Sequence, residues 1–286
     1  MINAIKPESI VKYKGAEAIE KSDLVVVEEP LEIRLGYGDV HNRQQKSLSV
    51  TMRTPTGHDF ELALGFLLTE NIITDFSQIL SIHYCTDNQR TAQENIVRVE
   101  LQPDITLDFS RLERHFYATS SCGICGKASI EAIAVQCPVP VDSTSVVSAS
   151  FIYQLAMFVE EKQVFFRHTG GSHVAALFSL PPDNPDTGTL MLLREDIGRH
   201  NALDKVIGAA FQQNLLPLSA HLLFMSSRAS FELIQKAVMG GIPVVVCVGA
   251  PSSLAIETAH NFGITLIGFS RENSFNVYTG THRVMN

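Results

Sequence analysis

The feature that most constrains the fold is an alternation of apolar and amphipathic segments in the second half of the chain. The run Pro243–Val248 is apolar throughout, as in a strand that is buried on both faces of a sheet. Segments with helical spacing of their apolar residues lie before and after it. This order predicts a largely parallel sheet covered by helices on both faces. The predicted strands cover residues 174–180, 190–194, 222–225, 243–248 and 264–269, and the predicted helices cover 151–161, 201–212, 231–239 and 252–261.

The first third of the chain predicts a separate, smaller unit. The stretch Leu31–Leu35 alternates apolar and charged residues, which is typical of a half-buried strand. Residues 59–70 carry an apolar stripe at helical spacing, and residues 95–101 alternate again. We expect regular structure to begin at Asp23. The predicted organisation is an N-terminal arm over residues 1–22, a small α+β domain over 23–113 and an α/β domain over 114–286.

Charge and hydropathy exclude two classes of partner. The chain has 22 basic and 30 acidic residues, a net charge of −8, whereas general nucleic-acid binding needs a basic surface. The longest apolar run, Ile242–Ala250, contains a proline and a glycine and is too short to cross a bilayer. The N-terminus lacks the apolar stretch of a secretion signal, so we expect a cytoplasmic protein. We also expect a homodimer, because an apolar-rich chain with a small first domain often buries surface by pairing.

Two of the five cysteines, Cys122 and Cys125, form a Cys-x-x-Cys motif. A zinc site needs two further ligands, usually from a second close pair, and Cys85, Cys137 and Cys247 are isolated in the sequence. A thioredoxin-like redox pair usually carries an apolar or proline spacer, whereas the spacer here is Gly-Ile. The other interpretations are a sulfur carrier that forms a persulfide and a buried structural pair at a tight turn.

The surroundings of the motif favour a reactive thiol. Ser120 or Ser121 can cap a helix that starts here, which places Cys122 in or before its first turn. The free N–H groups and the helix dipole stabilise a thiolate at that position, and Lys127 adds a positive charge nearby. The flanking glycines leave the sulfur accessible.

Polar residues are concentrated where predicted strands end. The segment Arg194–Lys205 contains Arg, Glu, Asp, His, Asn and Lys side chains at a strand-to-helix junction, where ligands of open α/β sheets bind. The alternative is a solvated loop followed by a charged helix face. The turns at 168–173, 226–230 and 249–253 offer hydroxyls and free N–H groups that suit phosphate, and 268–274 offers an aromatic ring and an arginine. The chain lacks G-x-x-x-x-G-K-[ST] and a strand-linked G-x-G-x-x-G, so several loops would have to build an anion site.

Together these segments resemble the formate dehydrogenase accessory sulfur carrier family, FdhD. The resemblance runs from about Leu31 to Val284 and is most specific in the second part. The matching segments are 121–126, 169–173, 194–205, 228–232, 250–255 and 268–271.

The resemblance implies both a fold and a function. The fold would be a small N-terminal α+β domain followed by a three-layer α/β/α domain of cytidine-deaminase-like topology. The family takes sulfur from a cysteine desulfurase as a persulfide and passes it to the molybdenum (or tungsten) bis-molybdopterin guanine dinucleotide cofactor, which then enters formate dehydrogenase. By this match Cys122 is the persulfide carrier and Cys125 the partner thiol. A guanine nucleotide would mimic part of the cofactor.

The resemblance also implies which residues hold the cofactor. Those expected to line its guanine nucleotide portion are Phe269, Ser270, Arg271, Glu272, Asn273 and Ser274. We further expect Asp196, Arg199 and His200 to hold the cofactor beside Cys122. The neighbouring turns would contribute Gly171, His173 and Arg228.

Two departures and two alternatives stay open. Many family members have glycine where this chain has Ser227, which removes an option of positive φ and leaves the loop shape undetermined. The implied fold also suggests a zinc deaminase, but Pro251-Ser252-Ser253 opens the relevant helix without the cysteines that this chemistry needs, so no zinc is expected. The alternatives to sulfur transfer are a cofactor-binding chaperone whose cysteines do no sulfur chemistry and a dithiol oxidoreductase.

Overall fold

A computed structural model of the chain describes residues 4–85, 94–103, 105, 107, 141 and 144–286. The described strands are β1 (Ile5–Lys14), β2 (Glu17–Val26), β3 (Glu29–Tyr37), β4 (Gln44–Arg53), β5 (Ile79–Tyr84), β6 (Ile96–Leu101), β7 (Val147–Ser148), β8 (His173–Ser179), β9 (Thr189–Asp196), β10 (His221–Met225), β11 (Val244–Cys247), β12 (Thr265–Arg271), β13 (Ser274–Val277) and β14 (Val284–Met285). The described α-helices are α1 (Asp59–Thr69), α2 (Ala149–Lys162), α3 (Phe165–Thr169), α4 (Arg199–Gln212), α5 (Phe231–Met239) and α6 (Ser253–Asn261).

The central element is a six-stranded sheet in the order β13-β12-β11-β10-β8-β9. Only the pairs β10–β11 and β11–β12 are parallel, and the other three pairs are antiparallel. The α/β class is confirmed, but the prediction of a largely parallel sheet is wrong. The reason lies in connection length. β8 and β9 are joined by one loop, and β12 and β13 by two residues, which is too short for a parallel crossover.

Helices cover both faces of this sheet. Alternate residues of β10 and β11, such as Leu223 and Val245, belong to a core shared with α4, α5 and α6. Their neighbours Phe224 and Val246 belong to a second core on the opposite face, shared with α2. The arrangement is therefore three-layer α/β/α. The cytidine-deaminase-like topology stays a prediction.

The N-terminal unit packs its helix directly onto the second part of the chain. A four-stranded sheet in the order β4-β3-β6-β5 lies against α1, and α1 crosses α4. Gly65 of α1 faces the carbonyl of Asp204, and Gly208 of α4 faces the carbonyl of Glu61. A Cβ on either glycine would overlap the carbonyl oxygen opposite. The two units share one continuous apolar core. The predicted boundary at residue 113 lies outside the described residues and stays a prediction.

The N-terminal segment forms a β-hairpin. β1 and β2 pair antiparallel over their full length, from Ile5 opposite Val26 to Lys14 opposite Glu17. Most of their side chains are exposed on both faces, so the sequence carries no alternation of buried and exposed positions. The prediction that regular structure begins at Asp23 is therefore wrong.

Candidate functional site

Asp196, at the end of β9, is buried and fully paired. Its side chain and that of Lys205 have no exposed surface, and Lys205 Nζ lies 2.5 Å from Asp196 Oδ2. The Thr54 amide donates to the same oxygen, at 3.2 Å. The other oxygen accepts from the Gly198 amide at 2.8 Å and the Asn201 side chain at 3.0 Å. The carboxylate thus joins the start of α4 to the segment after β4, which favours a structural role. A direct contact between Asp196 and a cofactor stays a prediction.

The segment Arg194–Lys205 contains two more ion pairs, one from β9 to α1 and one from α4 to α5. Arg194 donates to both carboxylate oxygens of Glu61 on α1, at 2.6 and 2.7 Å. Asp204 lies 3.0 Å from Nζ of Lys236 on α5. Many of the charged side chains in this segment thus pair within the protein, between β9, α1, α4 and α5.

Glu195 builds the turn that contains Gly171 and His173. Its carboxylate accepts from the first amides of α3, those of Val164 at 2.7 Å, Phe165 at 3.0 Å and Phe166 at 2.8 Å. It also accepts from the hydroxyl of Ser172, at 2.8 Å. Four donors on one buried carboxylate fix α3 and the following turn at the start of β8.

Arg199, His200 and His173 lie together near the start of α4. His173 pairs with Asp196 across the β8–β9 ladder. Arg199 Nε and His200 Nε2 are buried and have no hydrogen-bond partner among the described residues. Burial, followed by the nearby positive charges of Lys236 and Arg199, lowers the pKa of His200 to about 4. Burial and Arg199 also lower the pKa of His173.

Both imidazoles are therefore neutral near pH 7 and can accept or donate a hydrogen bond. Arg199 keeps a positive charge beside them. This combination suits a polar or anionic group, and a cofactor contact by these three residues stays a prediction.

The predicted segment Phe269–Ser274 is not a loop after the last strand; it comprises the end of β12, a two-residue turn and the first residue of β13. Phe269 adopts a left-handed backbone conformation (φ 53°), which is uncommon for a bulky residue, and its side chain is 42% exposed. Arg271 donates to the carbonyl of Val248 at 2.7 Å. Ser270 is buried, and its hydroxyl has no hydrogen-bond partner among the described residues. Glu272, Asn273 and Ser274 are exposed at the turn.

Arg228 and Ser227 lie beside the same hairpin. The carbonyl of Gly249 accepts a hydrogen bond from the Phe269 amide. Gly249 also packs closely on Arg228, since a Cβ added to Gly249 would lie 2.9 Å from the Arg228 Cα. Arg228 is exposed. Ser227 does not have a positive φ, and its hydroxyl donates to the Arg228 carbonyl at 3.1 Å. The loop thus takes a shape that serine adopts without strain.

A cavity of about 390 Å³ lies on the α2 face at the carboxyl ends of β10 and β11. Gly171 and His173 line one side of it. Sequence analysis missed the residues that α2 and α3 contribute. No local signal marks them, because they lie on helices whose pattern reports only the buried face. The lining residues are Ala156, Glu160, Gln163, Phe166, Gly170, Gly171, Ser172, His173, Phe224, Ser226 and Val248.

The cysteine motif lies outside the described residues, so the positions of Cys122 and Cys125 stay predictions. Cys247 is fully buried in β11, and burial raises the pKa of its thiol to about 12. Cys85 is half-buried after β5. Within the described ranges, His, Cys, Asp and Glu side chains form no group of three or more that could hold a metal ion. Every helix in those ranges is too short or too polar to span a bilayer.

Comparison with known proteins gives one consistent family. The model of the FdhD/NarQ family matches residues 26–285. The "Sulfur carrier protein FdhD" of Mycolicibacterium paratuberculosis is 46% identical over 278 residues, which covers 96% of this chain and 97% of that protein. The protein of the same name from Streptomyces avermitilis is 43% identical, covering 96% and 94%. That from Saccharolobus solfataricus is 36% identical, covering 98% of each chain.

A solved structure shares the fold. The crystal structure described as a formate dehydrogenase accessory protein from Desulfotalea psychrophila superposes with a TM-score of 0.71 at 20% identity. The alignment covers 99% of this chain and 100% of that one. The α/β architecture described above is therefore found in a second protein of low sequence identity.

Proposed function

Because this chain belongs to the FdhD/NarQ family, we propose that it accepts sulfur from a cysteine desulfurase as a persulfide on Cys122 and transfers it to molybdenum bis-molybdopterin guanine dinucleotide. The sulfurated cofactor would then enter formate dehydrogenase. The cofactor is a substrate of this protein. The reaction would take place in the cytoplasm, on a homodimer, which light scattering of the purified protein tests.

The loading step needs an accessible thiolate. The Cys122 thiolate attacks the terminal sulfur of the desulfurase persulfide, the donor S–S bond breaks, and the donor cysteine leaves as a thiolate. No net oxidation occurs. Of the two described cysteines, Cys247 is unsuited to this step because its thiol is buried and its pKa is raised to about 12. Family membership and the sequence around Cys122 support that residue as the carrier.

Passing the sulfur on as sulfide takes two electrons. Cys125 can supply them by attacking the Cys122 sulfur, which forms a Cys122–Cys125 disulfide and releases the terminal sulfur as sulfide to the metal. A dithiol reductant would then reset the pair. In this step the partner thiol explains why two cysteines lie two residues apart.

The observation that carries the cofactor half of the proposal is the β12–β13 hairpin. Phe269 keeps a bulky side chain in a left-handed conformation with its ring exposed, and Arg271 is fixed beside it. Strain of this kind persists where the surrounding structure imposes it and is common at ligand-binding sites. An exposed aromatic face and an arginine fit a base and its phosphates. The cavity next to Val248 supplies room for such a ligand.

The intact mass of the protein after incubation with a cysteine desulfurase and cysteine tests the proposal. We expect a gain of one sulfur atom that dithiothreitol reverses. The gain should be absent in Cys122→Ala and unchanged in the control Cys247→Ala. No gain in the presence of an active desulfurase would contradict sulfur transfer and favour the chaperone. A reversible disulfide with reduction of protein substrates, and no added sulfur, would favour the oxidoreductase.

A further inference from the structure

The two faces of the β1–β2 hairpin differ in chemistry, although neither is buried within one copy of the chain. Residues opposite each other in an antiparallel pair point to the same face, and the face alternates from one pair to the next. The difference is therefore visible only when the two strands are read in register. One face is rich in charge and consists of Lys6, Val25, Glu8, Asp23, Ile10, Lys21, Lys12, Ile19, Lys14 and Glu17. The other, which we call the apolar face, consists of Ile5, Val26, Pro7, Leu24, Ser9, Ser22, Val11, Glu20, Tyr13 and Ala18, with one charge among them.

The apolar face begins against the body of its own copy and continues beyond it. At the base of the hairpin β2 lies against α3, and Val26 Cγ2 is 3.4 Å from the point that a Cβ on Gly171 would occupy. Towards the tip the same face is open to solvent. Leu24 is 38% exposed, Val11 52% and Tyr13 73%. The outer part of the hairpin thus projects from the body as an arm with an uncovered apolar side.

An apolar arm of this kind needs a cover that is always present. A two-stranded hairpin by itself is at best marginally stable in water, and an apolar layer packed on it supplies the missing stability. A partner that binds only during sulfur transfer would leave the face exposed to water between encounters, as an aggregation hazard. Another copy of the chain is present whenever the protein is, and it carries the same apolar face.

We propose that the apolar faces of two hairpins pack against each other in antiparallel orientation and form the interface of a homodimer. The inference rests on the proposed function for the homodimer alone and not for sulfur transfer. Ser9 and Ser22 form the middle pair of the face, with two pairs on either side of them. A twofold axis through this pair lets the small side chains cross at the centre, and Val11 and Tyr13 of each arm then reach the base of the other.

The area of this contact fits a dimer when the neighbouring helix is included. A face of this length is about 33 Å long and about 10 Å wide, which amounts to roughly 300–500 Å² of buried surface on each copy. At the base of the arm, α3 adds Val164 and Phe166, which are 59% and 37% exposed. In the antiparallel arrangement the tip of the partner's arm covers them. The sum approaches the roughly 800 Å² per partner of a specific interface.

Sedimentation equilibrium of the full-length protein tests the interface, with Val11→Lys as the variant and Ile19→Glu as its matched control. Each change replaces an exposed β-branched residue by a charge opposite in sign to its cross-strand neighbour, Glu20 or Lys12, so both variants keep the hairpin. They differ only in the face that they change. The wild type and Ile19→Glu should sediment as dimers. Val11→Lys should weaken the dimer at least about a hundredfold, because the substitution occurs twice in each dimer.

A disulfide trap tests the position of the twofold axis. Ser22→Cys places two thiols next to each other at the axis, so oxidation with diamide should link two chains into a dimer that dithiothreitol separates. Peptide mass mapping should find position 22 joined to itself. Lys21→Cys is the control on the charged face, and its linkage should not exceed the level that the native cysteines give in the wild type.

The assignment is wrong if Val11→Lys dimerises as tightly as the wild type, or if Ile19→Glu weakens the dimer equally. Linkage through Ser22→Cys that is no greater than through Lys21→Cys would overturn the antiparallel arrangement. If the wild type sediments as a monomer, the homodimer of the proposed function fails together with this interface. Sulfur transfer is judged separately, because the mass gain on Cys122 can be measured in Val11→Lys as in the wild type.

Discussion

Replacing Asp196 with asparagine separates a structural role for this residue from a role in ligand binding. The asparagine side chain would keep the shape of the aspartate and the acceptor for the Gly198 amide. It would remove the negative charge that lies 2.5 Å from Lys205 Nζ in a fully buried pair. The Lys205 ammonium would retain the Thr54 carbonyl at 3.3 Å and the Thr56 hydroxyl at 3.1 Å, with no compensating charge.

Removing one partner of a buried ion pair costs about 3–5 kcal/mol, because the other charge stays buried and unpaired. The two remaining neutral acceptors of Lys205 place Asp196→Asn near the lower end, at about 3 kcal/mol. Replacing both residues, as in Asp196→Asn with Lys205→Met, removes the buried charge altogether. We expect the double variant to be more stable than Asp196→Asn by about 1–2 kcal/mol.

Urea unfolding followed by circular dichroism gives these free energies, and GDP titration of the folded variants gives the ligand affinity. The structural role predicts a large loss of stability in Asp196→Asn, recovery in the double variant and unchanged GDP affinity per folded molecule. The reasoning is refuted if Asp196→Asn unfolds at the wild-type urea concentration and binds GDP more weakly. That result would favour Asp196 as a direct ligand of the nucleotide.

The remaining predictions concern packing and pH. Gly208→Ala should lower the free energy of unfolding by about 1–3 kcal/mol, because its Cβ would overlap the Glu61 carbonyl where α1 crosses α4. The control Gly240→Ala, whose Cβ would lie 3.5 Å from its nearest neighbour, should change it by less than about 1 kcal/mol. The pKa of His200 is lowered from 6.5 to about 4, so the unfolded chain binds more protons than the folded one between these values. The free energy of unfolding should therefore fall as the pH drops from 6.5 towards 4. His200→Gln should reduce this fall, measured as the difference between the unfolding midpoints at pH 7 and 4.5. The same difference in the variant and the wild type would contradict a neutral His200 imidazole in the folded protein. The charged and titratable groups around His200 are Lys236, Arg199, Glu232 and His173. Their own contributions to the pH dependence of stability should remain in the His200→Gln variant.

The spacing of apolar residues along the chain was sufficient to predict most helices and strands of its second half. The helix predicted over 231–239 is α5, and the strand predicted over 222–225 is the main part of β10, because their periodicities reflect burial directly. Strand direction could not be predicted in the same way. It depends on which strands become neighbours, and β8 inserts next to β10 in antiparallel orientation. The hairpin β1–β2 was missed because an exposed two-stranded ribbon has no buried face to pattern its sequence.

Sequence analysis anticipated that several of the predicted residues meet at one edge of the sheet, and their role as a binding site stays a prediction. Gly171 and His173 line the cavity, Arg271 donates to Val248 at its edge, and Arg228 packs on Gly249, the next residue along, because these segments meet at one edge of the sheet. The left-handed backbone conformation of Phe269 could not be predicted, because bulky residues rarely adopt a positive φ and no sequence pattern marks the exception. Glu160 and Gln163 were missed for a different reason. A helix pattern identifies the face packed on the core and says nothing about polar residues that border a cavity.

The charged segment that begins in the last residues of β9 has one physical explanation that covers both of its roles. Successive residues of a strand point to opposite faces of the sheet, so Glu195 and Asp196 cannot act on the same side. Asp196 anchors the start of α4 towards the N-terminal unit, and Glu195 gathers the amides of α3 and the Ser172 hydroxyl on the side of the cavity. Two adjacent carboxylates therefore fix the packing of the two units and the shape of the cavity from a single strand end. The segment is rich in charged residues because it both packs the two units together and fixes the turn before β8. The same residues indicated a functional site in the sequence, although the buried ones are paired within the protein.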